Sequence, residues 1–309
     1  MPTFDTPNPI SATIDIAAGD IRLRASDRAT TVVEVHPSNA ARADDVRTAE
    51  QTRVEYRDGA LLIKTPEGRG FFGRGGSVDV TVELPADSHL RLDAASADFR
   101  AQGRLGECRV KIASGDVQME QTHALRLSVS DGDITVGHVA DQCEVSCASG
   151  DVRIREIDGQ ATIKNTNGET WIGEVGGELQ LNAANGDIKV DRAQTNVRAR
   201  TANGDIRLGE IARGAVLVDT ASGEIEIGVR QGSAAWLDLV TISGHVRNTL
   251  ESTDGPASGE ETVEIRARTA SGNIAIRRAA SNQQAAGVRQ PAWNVGQPPM
   301  SDAYTPFNP

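Results

Sequence analysis

A glycine returns along this chain at a nearly constant interval, each time inside the same phrase: a small or polar residue, Gly, an acid, a β-branched residue. The phrase reads Ser114-Gly115-Asp116-Val117, Asp131-Gly132-Asp133-Ile134, Ser149-Gly150-Asp151-Val152 and Asn167-Gly168-Glu169-Thr170. It continues as Asn185-Gly186-Asp187-Ile188, Asn203-Gly204-Asp205-Ile206 and Ser222-Gly223-Glu224-Ile225, with looser copies around Gly244 and Gly272. Successive glycines stand 17 to 19 residues apart as far as Gly223, then 21 and 28. A period in this range marks a stack of equivalent units, and the two longer steps read as loop insertions.

Alignment on the glycine exposes the unit. Two and four residues after it stand aliphatic columns such as Val152, Ile188, Ile206 and Ile154, Val190, Leu208. Five and seven residues before it stand Val145, Ile163, Leu181 and Cys143, Ala161, Leu179, with polar residues between. Each unit therefore holds two short strands, apolar on one face with period two. Repeated Asn-Gly hairpins in an antiparallel meander would also supply two strands. A meander gives residue i no reason to match residue i+18, whereas stacked coils bring those residues into contact. The fold expected is an all-β solenoid of about 18 residues and two short strands per coil, of a handedness the pattern does not carry. Gly serves the turn because it reaches φ > 0 without steric cost, and the polar residues beside it can bond the local backbone. Only 3% of residues are aromatic, so the core must be built from Val, Ile, Leu and Ala in thin layers.

Three regions follow. Residues 1–88 hold a first coil around Gly19 (Ile14, Ile16, Ile21, Leu23) with capping segments, including a short helix within Ala40–Arg53. Residues 89–278 carry the repeats. Residues 279–309, rich in Gln, Asn, Pro, Gly and Ala, read as a disordered tail or strap. The opening MPTFDTPNPI lacks basic and apolar signal regions, and no apolar run is long enough for a membrane helix. The expected location is the cytoplasm, without membrane insertion. A net charge of −11 argues against a nucleic-acid partner.

The residues that could carry function are few. Phe71 and Phe72, flanked by Arg69 and Arg74 in PEGRGFFGRGG, form either a binding tip or a cap over a solenoid end. Trp171 points outward between Arg153 and Lys189 of neighbouring coils, as a ligand platform or, more simply, a cation–π packing site. Trp236 also points outward, near a larger insertion. The acids after each Gly form a column that suggests Ca²⁺, but one acid per coil cannot supply six oxygen ligands. The column reads as a solvated turn, its repulsion offset by Arg153, Lys189 and Arg207 two residues on. Cys108, Cys143 and Cys147 fall at inward positions and read as reduced core thiols. The five histidines are scattered, and no catalytic, metal or nucleotide motif has its required context. No metal or cofactor is expected, and the chain does not read as an enzyme.

The serial S/N-G-D-I/V phrases, ASDRATTVVEV (Ala25–Val35), KNTNGETWIGEV (Lys164–Val175), TANGDIRLGEIARGAV (Thr201–Val216) and AAWLDL (Ala234–Leu239) together resemble the bacterial "putative adhesin" β-solenoid domain family, in its actinobacterial branch, over about residues 3–278. The resemblance implies a solenoid and transfers no catalytic residue. The leading expectation is a non-catalytic adhesin-like scaffold with a protein partner. Its rivals are a surface adhesin exported without a classical signal and a carbohydrate-active solenoid enzyme, which would need a localised acidic groove. Neither the partner's identity nor an oligomeric state is encoded in the pattern.

Overall fold

A computed structural model describes residues 1–66, 76–251 and 261–280. Met1–Ala279 form one compact unit; the tail expected over 279–309 lies outside the described residues from 281 on. Among the described residues the strands join in one 23-stranded sheet that winds on itself.

The middle of the unit shows the coil in its regular form. Strand Cys143–Ser149 is followed across the Gly150 corner by Val152–Ile157, and the chain then turns at Asp158–Gln160 into the next coil. Cys143 pairs with Ala161, Val145 with Ile163 and Ile154 with Ile172, all in parallel register at a spacing of 18. The solenoid is thus the observed architecture, and the meander is not. Stacked layers about 4.8 Å apart bring like residues together, which is why the columns repeat.

The core is aliphatic, as the composition requires: Ile154, Ile163, Leu181, Ile188, Ile206 and Val218 are buried, and Phe99 is the largest fully buried side chain among the described residues. Two inward columns escaped the alignment. One lies seven residues after each Gly, as Ile157, Val175, Ala193 and Ile211, because the inward face changes after the fourth position. The other lies three residues before each Gly and turns polar: Cys147, Asn165, Thr201, Thr220, Thr269. Its hydroxyls and amides donate to the carbonyls of the tight corner, Thr220 Oγ1 to Gly204 at 3.2 Å and Thr269 Oγ1 to Gly223 at 3.1 Å. Burial of a polar group is tolerated when such a bond forms. Asn165 pairs its nitrogen with the Gly150 and Gly168 carbonyls, but its buried Oδ1 has no partner.

Glycine is required at the corner for two reasons. At Gly168 φ is +128°, and a Cβ would lie 2.1 Å from the carbonyl oxygen of Gly150 below it. The turn argument covers the first; only stacking supplies the second.

Both ends depart from chain order. Strand Ser11–Ser26, the first long strand, lies inside the stack: Ile14 pairs with Ile63 on one side and Leu92 on the other. Outside it the layer is completed by antiparallel strands Thr3–Asp5, Thr30–Pro37 and Arg53–Arg57. Helix Ala43–Gln51 falls within the expected span, with Asp45 and Thr48 accepting the backbone N–H groups of Ser77 and Gly76. At the other end, strand Val216-containing Gly214–Ser222 does not meet the next strand in sequence, Ser233–Ser243. It pairs with Glu261–Ser271, which is inserted between them. The stacking order of glycines is therefore Gly223, Gly272, Gly244. The long steps are a crossover of one layer, which corrects the reading as simple loop insertions. Arg278 holds the crossover turn by donating from Nη1 to the carbonyls of Arg230 (3.0 Å) and Ser233 (2.8 Å).

Candidate functional site

The acid column is a structural ladder. The backbone N–H of Asp133 donates to Asp116 Oδ1 at 2.9 Å, Asp151 to Asp133 at 2.8 Å, Glu169 to Asp151 at 2.8 Å and Asp205 to Asp187 at 2.8 Å. The expected local turn bond is replaced by a bond between coils, because the neighbouring N–H lies within reach of a short carboxylate. Beside it, Asn185 and Asn203 donate amide to amide along a second ladder, to Asn167 and Asn185 respectively. The expected charge compensation is present, as Arg153 with Asp151 (2.8 Å) and Arg207 with Asp205 (2.6 Å).

Trp171 is neither an open platform nor a cation–π site. Its ring lies over Gly173, and Nε1 donates to Asp191 Oδ2 at 3.1 Å. The cations beside it are drawn off to carboxylates, Arg153 to Asp151 and Lys189 to Asp191; a charge-assisted contact outweighs the attraction of an exposed ring. Phe71, Phe72 and Arg74 lie outside the described residues. At the N-terminal end the core is covered by Phe4 and Tyr56, whose ring centroids are 5.2 Å apart, a cap assembled from two distant segments that the sequence pattern does not mark.

Parallel pairing gathers one group from the scattered histidines. His138, Glu156 and Asp158 hold ligand-type atoms within 4.8 Å of one another, with His138 Nε2 and Asp158 Oδ2 at 3.0 Å. The same corner contact, between residues twenty apart, recurs without histidine as Gln194 to Glu174 (3.0 Å) and Arg230 to Glu210 (2.7 Å). The trio is one instance of a repeated stacking bond. An open groove of about 460 Å³ lies on the N-terminal coils, where small residues such as Ala17, Ala94 and Ala113 leave a depression. Its acids, Asp15 and Asp93, are interleaved with Lys64 and Lys111, and Lys64 Nζ lies 3.1 Å from Asp15. The three cysteines are free and buried; burial pushes the Cys143 thiol up to about 12 and the Cys108 thiol to about 11, and raises Cys147.

The last coil differs from all of these. Trp236 (68% exposed), Val240 (46%), Ile242 (84%) and Val246 (45%) are four of the five large hydrophobic side chains exposed among the described residues. Among the described residues, strands Ser233–Ser243 and Val246–Asn248 each pair on one side only, with Glu261–Ser271 and Ile274–Arg278. The sequence marked Trp236 as outward; it did not show that this strand ends the stack.

The Toastrack DUF4097 family model matches residues 11–277. This chain belongs to the Toastrack DUF4097 family. The resemblance drawn from the S/N-G-D phrases agrees with this membership, and the solenoid is the Toastrack fold. Similar solved structures include a protein described as a putative lipid binding protein of Parabacteroides distasonis, 13% identical, covering 89% of this chain and 95% of that chain, with a TM-score of 0.42. A "putative adhesin" of the same species is 14% identical over the same shares (TM-score 0.39), and one of Bacteroides fragilis is 13% identical, also over 89% and 95% (TM-score 0.34). No curated protein matches this Toastrack chain. Among its described residues no helix is long and apolar enough to cross a membrane.

Proposed function

We propose that this protein is a non-catalytic binding scaffold whose docking surface is the last coil. The observation that carries the reading is the concentration of Trp236, Val240, Ile242 and Val246 on the last coil, whose strands pair on one side only among the described residues. Exposed large apolar side chains gathered in this way mark an interaction site, and a strand edge without a partner is a template for one. The coils beneath supply rigidity: glycine contacts close the stacked corners, and the carboxylates of Asp116, Asp133, Asp151, Asp187 and Asp205 bond the N–H groups of neighbouring coils, so the edge is held without adjustment on binding. Aromatic anchors such as Trp236 are the residues that dominate such surfaces.

The test is a cross-linked pull-down from the native host with the full chain and with the double substitution Trp236→Ala, Ile242→Lys. The expected result is loss of the specifically cross-linked species with the variant, while a Trp171→Ala control retains it. Retention by the double variant would remove the last coil as the docking surface.

A further inference from the structure

We propose that the occupant of the last coil is a second copy of this chain, joined end to end about a two-fold axis. The inference rests on the docking reading above and names its partner.

The inward columns of the solenoid are interrupted at this end. Ile265, Ala267 and Ile274 are fully buried, whereas their partners in the outer layer, Leu237, Leu239 and Val246, are only partly covered. What would complete those columns is another layer of the same shape, and the same end of a second copy presents one. A two-fold axis running from one sheet to the other lays Ser233–Ser243 antiparallel to its own copy and Val246–Asn248 antiparallel to its own. Both unpaired edges are then satisfied by one operation, and the assembly closes as a dimer.

The strand is self-complementary in charge. Ser233–Ser243 carries one charged residue, Asp238, which lies 3.6 Å from Arg268 of its own chain. An antiparallel register centred on Leu239 sets Trp236 opposite Ile242 and Asp238 opposite Val240. Within this strand pair no like charges meet, and the aromatic and β-branched residues fall into the cross-strand pairs that stabilise sheets; in Val246–Asn248 the same axis brings Arg247 toward its own copy, a repulsion that the apolar pairing has to outweigh.

The chain's other end does not compete. Its outer strand Arg53–Arg57 alternates Arg53, Glu55 and Arg57, with Arg53 and Glu55 ion-paired at 2.5 Å, and Phe4 and Tyr56 cover the core behind it. Charge on an edge strand blocks strand addition. Head-to-tail growth of a fibre is thereby disfavoured, and the end bearing Trp236 and Ile242 is left to pair with itself.

Sedimentation velocity of the full chain across the micromolar range tests the proposal. The expected result is a species of twice the 32.7 kDa chain mass. The double substitution Val240→Lys, Ile242→Lys should halve that mass while circular dichroism keeps its β-sheet signal, and Arg57→Ala at the other end should leave the dimer unchanged. Should the lysine variant fail to fold, hydrogen exchange on the unaltered chain decides: amide protection in Ser233–Ser243 must rise with protein concentration while that in Thr30–Pro37 does not. A wild-type monomer at every concentration, a folded lysine variant that remains dimeric, or concentration-independent protection overturns the proposal. A monomer whose specific partner is still lost with Trp236→Ala, Ile242→Lys in the pull-down would overturn self-association alone and leave the docking reading standing.

Discussion

The two ends of this solenoid solve the same problem to different degrees. Each buries a long-range coil beneath an outer layer that comes from elsewhere in the sequence: Ser11–Ser26 lies under Ala60–Lys64 and Val78–Pro85, and Glu261–Arg278 lies under Ser233–Asn248. At the N-terminal end the outer layer is finished by antiparallel strands, a helix and the Phe4–Tyr56 pair. At the C-terminal end it stops at a strand bearing Trp236, Val240 and Ile242, with Leu250 giving partial cover to the core. Interleaving alone therefore secures the coil beneath but does not terminate the stack. The N-terminal end is finished by a change of strand direction, charge on the edge and aromatic rings across the core; among the described residues the C-terminal layer keeps the parallel direction and exposes Trp236, Val240 and Ile242.

Substitutions at glycine test the distinction most sharply. Gly272→Ala, in the interleaved coil, places a Cβ 1.9 Å from the Gly223 carbonyl at φ +148°, and should cost at least about 3 kcal/mol in denaturant unfolding. Gly232→Ala, in the crossover to the outer coil, has φ +79° and open space around the new methyl, so about 1 kcal/mol is expected. Equal costs would mean that the outer coil is packed as tightly as the one beneath it.

The caps come next. Phe4→Ala or Tyr56→Ala should lose about 2–3 kcal/mol, since each uncovers core and breaks a ring contact. Trp236→Ala should change monomer stability, measured at a concentration below association, by no more than about 0.5 kcal/mol. A large loss at Trp236 would show that the C-terminal end is capped after all.

Arg278→Ala removes two charge-assisted bonds to the crossover carbonyls of Arg230 and Ser233. Loss of about 1.5 kcal/mol is expected, and it should appear as faster amide exchange in Ser233–Ser243 with none in Thr30–Pro37. Between the ends, Asn165→Thr replaces a buried side chain whose Oδ1 is unpartnered with the residue its column uses at Thr201, Thr220 and Thr269. A gain of about 1 kcal/mol is expected in denaturant unfolding; a loss would show that the Asn165 amide bonds outweigh its orphan oxygen.

The smallest effect belongs to Asp87, at the N-terminal end. The Arg104 guanidinium binds both its oxygens, at 2.6 and 2.8 Å, and holds its carboxyl below the usual carboxylate value. A depressed pKa contributes stability above the unfolded value and loses it as pH falls through the folded one. The pair is half exposed, so solvent screens most of it. Asp87→Asn should lower Tm by under about 1 °C at neutral pH, and the difference from wild type should vanish in acid.

Much of the regular coil was readable from residue order. The alternation around Gly150, Gly168 and Gly186 placed both strands, and the inward positions of Cys108 and Cys143 followed from the same count; Cys147 was placed inward by its spacing from Cys143 on one strand. The Gly168 turn was readable too, though not the approach of the Gly150 carbonyl that makes the residue doubly necessary. Other features were hidden for identifiable reasons. Thr201, Thr220 and Asn165 look like surface residues because their partners include backbone carbonyls of the preceding coil, which no side-chain pattern displays. The acid column looked like a solvated turn because the N–H that each Asp accepts belongs to a residue one period away. Trp171 suggested a cation–π stack because its cations are adjacent in register, while the competing Asp191 is not. Phe4 and Tyr56 meet only after some fifty residues of chain have folded between them.

Residue order by itself determined the coil: its length, its two strands, its corner and its aliphatic core. These depend on alternation and on the conformational freedom of one residue type, both local properties. Only the tertiary structure decided the order in which coils stack. Because the coils are equivalent in shape, the face that Gly214–Ser222 offers could accept Ser233–Ser243 or Glu261–Ser271 alike, and periodicity carries no information to choose between them. The choice was made by contacts between distant residues, such as Arg278 on the crossover carbonyls and Ser233 Oγ on the Ala212 carbonyl at 2.8 Å. That choice leaves Trp236 and Ile242 on the outermost layer, so the edge on which the proposed function rests is a product of stacking order, which a repeating pattern does not encode.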